Sequence, residues 1–209
     1  MINVTFTKFY HNLLFKEVIL TPLKPYKMKK TTFITTLALA FVMLLTVDMQ
    51  AQKFGGLDKS PMDAAAYPSD YRNANKDIKI IYSRPQLKGR TLEKLAPNGK
   101  VWRTGANEAA QLTLYKDMKL GNTTVKAGTY TVASIPGDSE WTVIVSSDLN
   151  TWGSYFYNEA NDVARITVPV SKGDESLEAF SIAFEGGAGN GVVMHMGWDT
   201  VRVSVPFTE

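Results

Sequence analysis

Between Ser83 and Ala109 the chain collects Arg84, Lys88, Arg90, Trp102, Arg103, Asn107 and Glu108. They come in two bursts, Ser83-Arg84-Pro85-Gln86-Leu87-Lys88-Gly89-Arg90 and Val101-Trp102-Arg103-Thr104-Gly105-Ala106-Asn107-Glu108-Ala109. Gly and Pro interrupt these stretches, so they read as loops. Binding and catalytic groups concentrate on loops held by a rigid scaffold, so the grouping resembles a built site more than a solvated face. Guanidinium groups offer planar forks of donors that suit an anionic or polyhydroxylated ligand. Asn107 and Glu108 would add mixed donors and acceptors, and Trp102 a flat apolar face. A structural reading competes: the arginines pair with Glu108, Asp63 and loop carbonyls, because buried carbonyls need donors. Ion-pair networks imitate sites in this way, and both readings stand.

Glu108 is the best candidate for a general acid or base, with His195 second. A two-carboxylate glycosidase would need a second acid at fixed separation, and spacing alone does not place Asp63, Asp148 or Glu159 beside Glu108. His195 lacks companions for metal or triad chemistry. Met194 and Met196 beside it read as core filling rather than copper ligands. The run Glu185-Gly186-Gly187-Ala188-Gly189-Asn190-Gly191 precedes no helix, so it reads as a hairpin loop and not a phosphate cradle. A second feature is Trp152-Gly153-Ser154-Tyr155-Phe156-Tyr157. Trp152, Tyr155 and Tyr157 could form an aromatic wall for stacking on sugar faces, or Trp152 and Phe156 could plug one end of the fold. No metal site and no cofactor is expected.

These loops need a scaffold, and from Asp77 onward period-two alternation provides one. Strands are expected at Ile78–Tyr82, Gln111–Tyr115, Met118–Leu120, Thr123–Lys126, Thr129–Ile135, Glu140–Ser146, Ala164–Val170, Phe180–Phe184, Val192–Trp198 and Val201–Val205. Gly121-Asn122 and Pro136-Gly137-Asp138-Ser139 are turn signals between them. Helix is confined to short turns at Leu92–Leu95 and Glu159–Asp162. The expected fold is all-β, an antiparallel β-sandwich or flattened barrel of about 8–10 strands.

Residues 1–51 stand apart. Met28-Lys29-Lys30, an apolar run from Phe33 to Val47 and small Ala51 describe a secretory signal peptide, too short to span a bilayer comfortably. The expected division is 1–27 as a gene-start extension, 28–51 as signal peptide, 52–76 as an extended lead-in over the domain, and 77–209 as one β domain; the alternative for the first segments is a longer leader or an uncleaved anchor. Residues 1–51 hold six Lys against two acids, leaving 17 basic and 18 acidic residues thereafter. The basic balance therefore belongs to the leader and gives no reason to expect nucleic acid. Without Cys there is no disulfide, no thiol nucleophile and no lipid-attachment site, so the expectation is a periplasmic or secreted protein that is not a lipoprotein. The remaining chain is long enough to bury roughly 70% of its unfolded surface in one core, and no membrane span is expected in it.

Several elements carry a family resemblance. They are Leu57-Asp58-Lys59-Ser60-Pro61-Met62-Asp63, Tyr82-Ser83-Arg84-Pro85, Lys88-Gly89-Arg90, Pro97 and Gly99. Trp102-Arg103 with Gly105-Ala106-Asn107-Glu108-Ala109, Ala127-Gly128-Thr129-Tyr130, Trp141, Trp152-Gly153 and Trp198 complete them. In these the chain resembles a family of exported bacterial proteins catalogued as domain of unknown function 2911. It departs from that family's pattern at Glu93-Lys94 and Asn98, where aromatics and Gly are common, so no aromatic platform is expected on that loop. The resemblance implies no activity.

Function is therefore argued from residues. The expectation is a non-catalytic binding module for a glycan, peptide or small anion, acting through the Arg84–Arg90 and Trp102–Glu108 loops. The alternative is a hydrolase or isomerase using Glu108 as general acid/base, helped by His195 and an arginine clamp. A third class, an assembly protein offering a sheet edge, predicts no pocket.

Overall fold

Alternation of inward apolar and outward polar side chains builds the sheet strand by strand. In β2 (Ile78–Ser83), Ile78, Ile80 and Tyr82 are buried; in β3 (Ala110–Leu114), Ala110, Leu112 and Leu114 are. The inward apolar residues continue in β4 (Met118–Leu120) and β5 (Thr123–Val125), while β6 (Gly128–Ile135) and β7 (Glu140–Ser146) also bury residues of their other face. With β1 (Met62–Tyr67), β8 (Asp162–Gly186) and β9 (Val192–Thr208), the computed structural model forms one nine-stranded sheet in the order β1-β2-β3-β6-β7-β8-β9-β4-β5. Every pairing is antiparallel. The sheet does not close into a barrel; it is a flattened, sandwich-like fold around a single buried cluster. The structure describes residues 27, 29–45 and 52–209.

Two long strands make the fold turn over. The first part of β8, through Pro169, pairs with β7, and the rest pairs with β9. Within β9, His195 Nδ1 lies 2.9 Å from Ser204 Oγ. A straight strand would hold residues nine positions apart at a separation of about 30 Å, so β9 must double back. Asp199, at φ 49°, marks the reversal. β8 follows it round the tip, with register shifts between Lys172 and Leu177 and between Leu177 and Ser181. The inner faces meet over an aromatic group drawn from four places: Trp102, Trp141 of β7, Phe180 of β8 and Trp198 of β9.

Strand alternation correctly anticipates most of these elements, and Leu92–Leu95 is the expected short helix, α2. The expected turn at 159 is a 3-10 segment, Glu159–Asn161. Two differences matter. The expected segments at 164 and 180 are one continuous strand, as are those at 192 and 201. The extended lead-in also contains a strand not expected from the sequence, because Met62–Tyr67 pairs in register with β2, from Met62↔Ser83 to Tyr67↔Ile78. Three consecutive alanines hide that strand, since Ala has weak β preference and gives no alternation.

The chain divides into two units between Phe54 and Gly55. In the first, α1 (Lys30–Leu45) is 16 residues long, or about 24 Å. No described helix is long and apolar enough to cross a membrane. The proposed extension and the cleavage point after Ala51 lie outside the described residues.

Candidate functional site

Trp102 fixes the start of the site loop. Its N–H donates to Ser134 O at 2.7 Å and its carbonyl accepts from Ser134 N–H at 2.8 Å, a single bridge onto β6. The indole is only 5% exposed and stacks on Trp198 at 5.6 Å. It is a core side chain, which corrects the expectation that it offers a face to ligand; burial against three other large rings stabilises it more than exposure could. Beyond it, Thr104 (φ 53°) ties its hydroxyl to Ser134 Oγ, 2.7 Å away. Gly105, at φ 157°, lies so close to β2 that a Cβ would come within 3.0 Å of Ser83 O.

The loop is then zipped to the second aromatic feature. Asn107 O accepts from Gly153 N–H at 3.0 Å, Ala109 N–H donates to Thr151 O at 3.0 Å, and Glu108 bridges Trp152. Two features 50 residues apart are one locus. Asn107 also reaches Asp58 Oδ1 with its amide at 3.1 Å. The Ser60 N–H first, then this amide, holds the Asp58 carboxyl below its ordinary range.

The basic turn does not join them as a ligand clamp. Arg84 is spent on structure: it donates to Asp63 Oδ2 (3.0 Å), Phe180 O (3.0 Å) and Ser181 Oγ (2.7 Å), tying β1 to β8. Arg90 donates to Leu87 O and Gln86 O of its own turn. Lys88, at φ 46°, is held through its backbone N–H by Glu178. Its side chain and that of Arg90 face an open groove with Lys59. The network reading thus describes Arg84 and Arg90. It does not describe Arg103, whose guanidinium has no hydrogen bond or ion pair among the described residues and whose Nε is buried without a partner. Glu108 is exposed and forms no ion pair among the described residues.

Arg103 opens on a small cavity of about 20 Å³ walled by Val101, Ala109 and Ala133, with Thr131, Ser146, Asp148 and Tyr157 around it. A second, larger cavity, about 240 Å³, holds Glu108 with Gln111, Asn150 and Ser83. Ala109 and Thr131 border both. The floor is a cross-strand row on one face of the sheet: Ile81↔Gln111, Gln111↔Thr131 and Thr131↔Ser146. Gln111, Thr131 and Asn150 escaped sequence reasoning, although alternation against buried Leu112 and Val132 places the first two on the outer face.

Trp152, Tyr155 and Phe156 are 58%, 79% and 76% exposed. Neither Trp152 nor Phe156 plugs the fold, and both join Tyr155 as apolar surface in water. Tyr157 turns the other way. Its hydroxyl donates to Asp162 at 2.7 Å and accepts from Arg165; burial first, then Asp162, pushes its pKa up to about 12.

His195 is not brought to this locus. It lies with Ser204 and Arg202 in a groove along β8 and β9, its Nε2 3.3 Å from Glu185. Met194 and Met196 are buried core residues. Of the other acids, Asp63 serves Arg84 and Glu159 pairs with Arg165. Asp148 borders the Arg103 cavity, and among the described residues Glu108 is the only acid lining its own.

No curated protein and no solved structure matches this chain. Residues 60–207 match the family model described as "Protein of unknown function (DUF2911)". That span runs from Ser60, at the turn that caps Asp58, to Phe207 near the end of β9, so it takes in the whole sheet and both zipped loops: the chain belongs to the DUF2911 family.

Proposed function

We propose that this protein is an exported, non-catalytic binding module that holds a glycan, peptide or small anion between the Arg103 loop and the Trp152 loop. One observation carries the reading: of the six arginines in the chain, Arg103 alone lacks a partner among the described residues, and it opens into a cavity beside three exposed aromatics. A buried donor without an acceptor is costly, and a ligand oxygen would remove that cost. Exposed aromatics gathered on one loop are the apolar half of a binding surface. The basic start and apolar helix of residues 30–45, together with the absence of Cys, support export. Glu108 as general acid/base lacks a companion, since no second carboxylate or His among the described residues lines its cavity.

The test is a thermal-shift screen of sugars, peptidoglycan fragments, small anions and divalent metals on wild type, Arg103→Gln and Glu108→Gln. A ligand present at 100 times its Kd adds about 2.7 kcal/mol of stability. The expected result is a rise in Tm that Arg103→Gln abolishes. If no compound shifts Tm and Arg103→Gln simply melts earlier, the loop is a structural clamp and the reading is wrong.

A further inference from the structure

Building on the binding reading above, we propose that the ligand is an acidic saccharide, its carboxylate seated on Arg103 and its sugar rings lying on Trp152 and Tyr155.

The Arg103 cavity selects for a carboxylate. Its apolar wall of Val101, Ala109 and Ala133 lowers the local dielectric, which strengthens a charge-assisted pair, and a guanidinium fork matches two carboxylate oxygens. A multiply charged anion fits poorly, because Asp148 borders this cavity and Glu108 the neighbouring one. Those same carboxylates suit a ligand with one negative charge and many hydroxyls. Asp148 Oδ1 is taken by the Asn161 amide at 2.7 Å, which leaves Oδ2 to accept from a ligand. Glu108, Gln111 and Asn150 provide further acceptors and donors across the shared wall.

A peptide matches the locus less well. Extended peptides bind largely through main-chain hydrogen bonds to a free strand edge. Here Asn107 O, Ala109 N–H, Thr151 O and Gly153 N–H are already paired with one another. What remains exposed is flat and aromatic, the complement of the C–H face of a pyranose ring.

The experiment is calorimetric titration of the full chain. A sialyllactose and a disaccharide with one glucuronate, each carrying a single carboxylate, are the acidic probes, and maltotriose and chitotriose the neutral ones. Inorganic phosphate and an acidic tripeptide are run beside them. We expect at least one acidic saccharide to bind about tenfold or more tighter than the neutral ones, the worth of a charged hydrogen bond. Arg103→Gln should bring acidic and neutral affinities within about threefold, and Arg103→Lys should retain part of the preference. Trp152→Ala should weaken all saccharides about three- to tenfold and leave the acid preference intact. Equal affinity for acidic and neutral sugars overturns the proposal, as does an acid preference that survives Arg103→Gln in a variant that melts like wild type. If phosphate or the tripeptide binds and no saccharide does, the proposal falls while the binding reading stands. If nothing binds, both fall.

Discussion

Arg84 and Arg103 carry the same guanidinium and both follow strand-like residues, but Arg84 satisfies three acceptors from β1 and β8 while Arg103 satisfies none among the described residues. Their alanine variants should therefore diverge. Arg84→Ala strands Asp63 and Phe180 O and should cost about 1–3 kcal/mol, reduced toward the lower end by partial exposure. Arg103→Ala removes a donor that has no partner and should change stability by less than about 0.5 kcal/mol, or raise it. Urea denaturation of both variants checks this; equal losses would mean Arg103 has a structural partner in solution. Both residues were legible as chemistry in the sequence. Which was free was not, because pairing depends on Asp63, Phe180 and Ser181, the last two nearly 100 positions away.

At the scale of elements, the site exists because an irregular loop is laid against two partners. Trp102 bridges β6, Asn107 to Ala109 zip onto Thr151 to Gly153, and Gly105 rests on the end of β2. Gly105→Ala meets both an unfavourable φ and a 3.0 Å contact with Ser83 O. It should cost about 1–3 kcal/mol and lift the loop from β2. The readouts are Tm and binding in the screen described above: a variant as stable as wild type with unchanged binding would show that the loop tolerates the shift. Elements with clean alternation, such as β2, β4 and β7, were readable with near-correct ends. The zipper and β1 were not, because single bridges and alanine runs carry no periodicity.

At the scale of the molecule, every residue of the buried cluster lies beyond residue 77, and the partly buried residues packed on it begin at Ala65. The four-ring aromatic group joins a loop and three strands across the two halves of the sheet. Residues 55–209 alone should therefore fold, with one cooperative thermal transition followed identically by near-ultraviolet and far-ultraviolet circular dichroism. Non-coincident transitions would show that the core needs the preceding segment. The long β8 and β9 show why strand positions were legible and strand continuity and topology were not. Alternation reports which face is buried, but it is silent on whether two alternating segments join through a bend.

Local chemistry written in the chain determined the all-β class, the positions of most strands, the family and the two loops where side chains of functional type gather. Tertiary structure decided the rest: that Trp102 is core, that Arg84 and Arg90 are fasteners, that Arg103 is left unpartnered among the described residues, and that Trp152, Tyr155 and Phe156 stand in solvent beside it. The reason is the range of the forces involved. Periodicity and turn preference act over a few residues and are visible in sequence. Burial and pairing depend on contacts between positions tens of residues apart, such as Asn107 with Gly153 and Arg84 with Phe180, and only the folded chain brings these together.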